Sequence, residues 1–333
     1  MPTLSTQAIQ NPGVPASGLM KLTQSALICA AGADAATFLH SQLTNDIKNL
    51  TANQVCLAGY CTPKGRLLAT MLVWTNHDTV MLQLPLELQE ALQKRLQMFV
   101  MRAKVKLENV SATQVVMGLF GADTMNRLLP WFPQLPAAPY ELVSNQSGTL
   151  MRLADADGVA RYQWIADKES AEQVWPVLAA QIPVLAEQWW SLSEIHAGIA
   201  HICIATQEKF VPQMINYELI GAVNFKKGCY PGQEIVARTH YLGKQKRRTV
   251  LAHVDSGNVL SGMEVFAAQD PTQPCGMVVN AQTNPAGGTD CLIEIKTAFY
   301  SPDSVQLSTG EICHWLPMPY SLPTDLNEDN PTS

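Results

Sequence analysis

The last quarter of the chain limits its architecture most. From Thr249 to Trp315 short β-forming runs alternate with the turn signals Ser256-Gly257-Asn258, Asp270-Pro271, Asn284-Pro285 and Gly287-Gly288. Gly and Asn tolerate the backbone conformations that reverse a strand, and Pro presets φ at a turn. Such spacing predicts a small antiparallel barrel or sandwich.

The preceding part has a different rhythm. A β-like run from Leu22 to Ala30 ends at Gly32, and Asp34 is placed to cap a helix carrying Phe38, Leu39, Leu43 and Ile47. Residues 55–60 and 66–74 read as strands joined by the turn Thr62-Pro63-Lys64-Gly65. A helix over 86–100, with Leu88, Leu92, Leu96 and Phe99 on one stripe, leads into the alternating run Ala103 to Leu107. Strands near 115–120, 149–153 and 160–166 precede a helix near 168–180, and residues 186–200 form another amphipathic helix. No βαβα rhythm is present, so the fold class is α+β, not a doubly wound parallel sheet.

A chain of 333 residues exceeds one ordinary core, so two or three domains are expected. The divisions read as a flexible lead (1–20), an α+β region (21–245), a β-barrel (246–322) and a disordered acidic tail (323–333). Residues 1–20 contain no Lys or Arg and no run approaches membrane-spanning length. Neither an export signal nor a membrane segment is visible, so a reducing cytoplasm without disulfides is expected.

The net charge of −6 argues against a surface coated for nucleic acid. Positive charge is nevertheless concentrated: Lys226, Lys227, Arg238, Lys244, Lys246, Arg247 and Arg248 stand against one acid, Glu234. Such a run is either a solvated face or an anion-attracting surface. Cys229 lies inside it, after two lysines and a glycine and before Pro231-Gly232. Ammonium groups and a helix N-terminus both favour the thiolate, and Pro231 at the first helical position would direct free amides toward the sulfur. The alternative is a cysteine buried as packing.

Weaker candidates remain. Cys56 and Cys61 are separated by four residues, a poor metal spacing that favours packing, and no metal site is proposed. Lys64 and Arg66 either hold an anion or decorate a hairpin tip. Trp189-Trp190 supplies either core and rim or a stacking platform for a flat heterocycle, with His196 one or two turns further on.

The run Phe225-Lys226-Lys227-Gly228-Cys229-Tyr230-Pro231-Gly232-Gln233-Glu234-Ile235-Val236-Ala237-Arg238 is similar to the signature of the YgfZ family, folate-binding relatives of the glycine cleavage T protein. Further matches are Gly32-Ala33-Asp34, Leu43-Thr44-Asn45-Asp46, Arg102-Ala103-Lys104-Val105, Phe210-Val211-Pro212-Gln213 and Leu316 to Leu322. The resemblance implies a ring-like aminomethyltransferase-type fold: two intertwined ferredoxin-like α+β domains and a C-terminal barrel around a channel for tetrahydrofolate or a derivative. It also implies a monomeric accessory factor for iron–sulfur enzymes or assembly proteins, indirectly required for tRNA modification.

By the same resemblance Cys229 is the reactive residue, and Tyr230, Gln233, Glu234 and Arg238 belong to the binding motif. Lys226 and Lys227 would attract the glutamate tail of a folate or an anionic partner. Trp190 matches one folate-binding tryptophan of a relative, while Ser25 stands where the other would be. His196-Ala197-Gly198 replaces Glu-Ala-Gly, which places His196 near the pterin. Where the T protein has its catalytic aspartate this chain has Leu68-Ala69-Thr70-Met71, which disfavours the alternative, a tetrahydrofolate-dependent aminomethyl-type transferase. A nucleic-acid module built on Lys244, Lys246, Arg247 and Arg248 lacks interleaved aromatics beyond Tyr241.

Overall fold

A computed structural model describes residues 15–242 and 245–323. Most of the expected lead, nearly all of the expected tail, and Lys244 lie outside them. Strand β1 (Ser17–Lys21) is followed by β2 (Ser25–Ala31), helix α1 (Ala35–His40), β3 (Val55–Cys61), β4 (Leu67–Asn76) and β5 (Thr79–Pro85). Helix α2 (Gln89–Val100), β6 (Lys106–Asn109), β7 (Gln114–Gly121) and α3 (Thr124–Leu128) come next. Then follow β8 (Leu142–Asn145), β9 (Gly148–Ala156), β10 (Val159–Asp167), α4 (Lys168–Ala179), α5 (Gln188–His196) and α6 (Gln233–Leu242). The last strands are β11 (Arg247–Val254), β12 (Glu264–Ala267), β13 (Asp270–Thr283), β14 (Thr289–Lys296), β15 (Val305–Leu307) and β16 (Cys313–Leu316).

Two antiparallel sheets interlock. One runs β1-β7-β10-β9-β8 and the other β3-β4-β5-β2-β6. The chain opens the first sheet with β1, leaves to build the whole second sheet, and returns at β7, where Lys21 faces Met117 and Ser17 faces Gly121. That return makes the domains intertwined. It also corrects the lead: Ser17 to Met20 were expected to be flexible, yet Leu19 and Met20 are fully buried. Five residues buried along most of their length show no alternation, so their polar upstream neighbours masked them.

Alternation along β10 separates two cores. Tyr162, Trp164 and Ala166 enter the cluster with α4 residues Ala171, Val174 and Leu178. Trp164 meets Phe132 edge-on at 4.9 Å there, so Trp164→Ala would cost about 3–5 kcal/mol. Arg161 and Gln163 take the opposite face and are buried as well. Asp167 caps α4, its Oδ1 accepting the Ser170 N–H at 2.8 Å.

Two helices are shorter than their patterns predict. Asp34 does not cap α1; its Oδ2 accepts the Lys104 N–H at 2.8 Å, and the helix stops at His40. Helix α5 stops at His196, because Gly198 takes φ +68° and a Cβ there would lie 2.6 Å from the Tyr320 ring.

The third sheet runs β15-β12-β13-β14-β11-β16. Laid flat, its edge strands would stand roughly 24 Å apart. The link from Leu307 to Cys313 reaches about 20 Å when fully extended. It is not extended: Leu307 N–H donates to Glu311 O at 2.9 Å. The sheet therefore curls until its edges meet, around Val250, Ala252, Val265, Val278, Ile293 and Ile295. Among the described residues no helix is long and apolar enough to cross a membrane.

Candidate functional site

Helix α5 positions the first group of candidates. Trp190 packs on the bare backbone of Gly118, where a Cβ would stand 2.6 Å from the indole. The Arg161 guanidinium lies 5.1 Å from the ring centroid. Residues four apart on a helix share a face, and Glu194 joins Trp190 in lining one cavity of about 270 Å³. That size is near the lower end of small-molecule sites. Ser25, Gln83 and Gln163 line the same cavity from both sheets, and Asn280 lines it from the barrel.

These polar groups are fixed by one another. Gln83 Nε2 donates to Ser25 Oγ and to Gln163 Oε1, each at 3.1 Å, bridging the two sheets. Asn280 Oδ1 accepts the His201 N–H at 2.8 Å, while its Nδ2 donates to His201 O at 2.9 Å. Glu194 is buried, with Oε1 paired to Arg161 and Oε2 at 2.9 Å from His201 Nε2. Burial alone would raise its pKa, but the Arg161 charge and the His201 contact outweigh it and hold the carboxyl at about 2. The cavity thus combines an indole, an ionised carboxylate, amides and a hydroxyl.

His196 is not in this cavity. It lines a separate small pocket of about 40 Å³ with Phe120, Asp157 and Trp189, well below the size of a small-molecule site. Both of its nitrogens are engaged: Nδ1 lies 2.7 Å from Asp157 Oδ2, and Nε2 lies 2.7 Å from Asp290 Oδ2. No nitrogen is left for a ligand, which corrects the expected folate contact. Asp290 continues through its Oδ1 to His253 Nδ1 at 2.6 Å. The histidine therefore ties α5 and the β9–β10 turn to the barrel. Burial opposes its protonation, yet the two carboxylates raise its pKa to about 9.

The second group surrounds Cys229, which is exposed and free. Residues 226–238 contribute nothing to the α5 cavity, so the structure does not bring the two groups together. Helix α6 begins at Gln233; Pro231 lies ahead of it, and Gly232 O accepts the Val236 N–H at 3.2 Å. The expected Pro at the first helical position is thus displaced by two residues. Tyr230 is buried, Gln233 Nε2 donates to Lys227 O at 3.4 Å, and Lys226, Glu234 and Arg238 are exposed.

Lys227 turns inward instead of toward an anion. Its Nζ donates to His40 O and, at 2.6 Å, to Leu43 O, carbonyls at the end of α1. It sits 5.1 Å from the Tyr230 ring centroid. Burial lowers its pKa to about 8, against the pull of Asp46. The anion-attracting role expected of Lys227 is therefore corrected: its donors are committed to the backbone. His40 and Asp46, which the sequence reading assigned no role, stand beside this loop, with His40 Nδ1 3.0 Å from Asp46 Oδ1.

Among the described residues of the basic run, Arg247 and Arg248 are paired with acids. Arg247 pairs with Glu294 Oε2 at 2.6 Å, and buried Arg248 pairs with Glu218 and donates to Gln213 O at 3.1 Å. Arg66 donates to Lys209 O. Buried Thr70 accepts the Ile202 N–H at 2.9 Å, and residues 68–71 carry no carboxylate.

The chain matches no protein-family model. Glycine cleavage system aminomethyltransferase T from Bartonella henselae superposes with a TM-score of 0.70 at 14% identity, covering 90% of this chain and 84% of that one. The architecture is thus that of the aminomethyltransferase T fold. A tRNA-modifying protein YgfZ from Edwardsiella ictaluri is 31% identical over 230 residues, 69% of each chain. Its counterpart from Klebsiella pneumoniae is 30% identical over 229 residues, again 69% of each. The one from Yersinia pestis (strain Pestoides F) is 28% identical over 246 residues, 74% of this chain and 73% of that one. The chain belongs to the YgfZ family.

Proposed function

We propose that this protein binds a reduced folate in the α5 cavity and serves iron–sulfur enzymes, thereby supporting tRNA modification. The observation that carries the reading is an indole and a buried ionised carboxylate, Trp190 and Glu194, lining one cavity. A tetrahydropterin has a flat pyrimidinone edge with N–H and amino donors, which suits an indole wall and a carboxylate acceptor. Ser25, Gln83 and Gln163 add donors and acceptors. The name of the YgfZ relatives supports the tRNA link, and the aminomethyltransferase fold supports the folate assignment. In this reading Cys229 acts as a cytoplasmic thiolate in redox protection or in transient sulfur or cluster handling. Exposed Lys226 and Arg238 face an anionic partner.

Calorimetry with tetrahydrofolate and its methylene and formyl derivatives tests the cavity. Wild type binds at least one form, and Trp190→Ala and Glu194→Gln each weaken it about tenfold or more, the scale of one lost charged hydrogen bond. Absence of binding by wild type overturns the folate assignment. In a deletion strain, Cys229→Ala fails to restore tRNA thiolation; full restoration removes the cysteine from the mechanism.

A further inference from the structure

The layer between the two interlocked sheets holds a cavity toward each end of β5. The α5 cavity lies at the Pro85 end. At the Thr79 end is a cleft of about 610 Å³, more than twice as large and within the range of small-molecule sites. Strand register explains its walls. On the second sheet Met81 pairs with Cys29 on one side and with Trp74 on the other, and Asn76 pairs with Thr79. Cross-strand partners and residues two apart share a face, so these five side chains form one wall. On the first sheet Thr149 pairs with Ile165 and with Ser144, and Asp167 pairs with Gln114, which gives the facing wall. Two residues further along β5 and β10, the hydrogen bond between Gln83 and Gln163 marks the boundary with the α5 cavity.

The floor of the cleft is apolar and buried, formed by Trp74, Met81 and Ile165. Trp74 is 1% exposed, and its indole N–H has no acceptor among the described residues. An unmet buried donor costs about 1–3 kcal/mol, and native proteins leave few of them. Asn76, Gln114 and Gln146 line the rim, and their side-chain amides bond to no other described residue. No Lys or Arg lines the cleft, and its one carboxylate, Asp167, is engaged by Ser170.

We propose that this cleft binds an uncharged nucleobase or nucleoside. A side-chain amide presents a donor and an acceptor side by side, which matches the paired donor and acceptor on the edge of a base. The apolar floor takes the flat body of the ring, and a ring nitrogen or carbonyl supplies the acceptor that the Trp74 N–H lacks. A phosphate would meet no cation here, so the nucleoside fits and the nucleotide gains nothing. The inference does not rest on the folate reading, which concerns the other end of the layer.

Calorimetry of the full chain with adenosine, guanosine, cytidine and uridine, without folate present, tests the cleft. At least one nucleoside binds, and its 5′-monophosphate binds no more tightly. Asn76→Ala and Gln114→Ala each weaken binding about three- to tenfold, the ratio that one lost neutral hydrogen bond gives. Both residues sit half-buried at the rim, so urea midpoints should stay at the wild-type value. Trp74→Phe keeps an aromatic floor, removes the N–H and weakens binding by a similar factor. Should Trp74→Phe fail to fold, the two rim variants decide. Absence of binding by all of the nucleosides at millimolar concentration overturns the inference, and so does binding that both rim variants leave unchanged. A monophosphate that binds about tenfold tighter than its nucleoside also overturns it. Tetrahydrofolate calorimetry reads the α5 cavity separately, so a chain that binds no folate still gives a clear result here.

Discussion

Gly65 and Gly232 meet backbone to backbone: a Cβ on Gly232 would lie 2.6 Å from both the Cα and the amide nitrogen of Gly65. Both have positive φ, +72° and +82°. The turn between β3 and β4 and the loop before α6 thus fit together only because neither carries a side chain there. This contact seats the Cys229 loop on the second sheet.

Gly232→Ala should therefore lower stability by about 2–4 kcal/mol, combining a positive-φ penalty with backbone overlap. Urea unfolding measures it. A wild-type midpoint would show that the loop moves away from Gly65 freely.

Arg161 and Glu194 form a buried ion pair beside Trp190. Removing one partner strands the other charge, so Arg161→Met should cost about 3–5 kcal/mol. Arg161→Met combined with Glu194→Leu should recover most of that loss. A double-mutant cycle measures the coupling, and a value below about 0.5 kcal/mol contradicts the pair.

What the sequence made legible was mostly local. Hairpins, turns and the barrel are written in nearest-neighbour spacing, and the resemblance supplied the intertwining that no local pattern contains. Trp190 and Ser25, which the resemblance assigns to one binding site, line one cavity. Glu194 was missed, although it lies four residues from Trp190 on the same face. His196, six residues on, lies about 120° away around the helix, so its alignment with Glu-Ala-Gly did not carry the glutamate's position. Lys227 is adjacent to the signature cysteine, but its acceptors lie 187 and 184 residues away at His40 and Leu43. Neighbouring Arg247 and Arg248 point to opposite faces of β11 and find different acids, Glu294 and Glu218. A charge run in sequence thus says little about which charges remain exposed.

His196 makes stability pH-dependent. Its folded pKa of about 9 exceeds the ordinary 6.5, so its contribution is full below about pH 6.5 and is lost as pH rises through 9. Asp290, whose pKa is lowered because the His196 and His253 hydrogen bonds outweigh burial, loses its contribution in acid, as pH falls below 3.8. Urea unfolding of wild type and His196→Gln at pH 6 and 9.5 tests this. The advantage of wild type should shrink by roughly 2–3 kcal/mol between the two. Parallel pH curves would mean that His196 does not carry the proton.

Lys227 should give the opposite slope. Its folded pKa of about 8 lies below the ordinary 10.5, so between those values the unfolded chain binds the proton that the folded chain has released. The contribution of Lys227 to stability therefore rises with pH through that window. Lys227→Met removes the titrating group and leaves the carbonyls of His40 and Leu43 without their donor, a loss of about 2–4 kcal/mol at pH 7. That deficit should widen from pH 7.5 to 10, whereas the deficit of His196→Gln narrows over the same range. Urea titration of the two variants against wild type at each pH separates the effects, which partly cancel in wild type. A deficit for Lys227→Met that stays constant would show that the buried ammonium keeps its proton throughout.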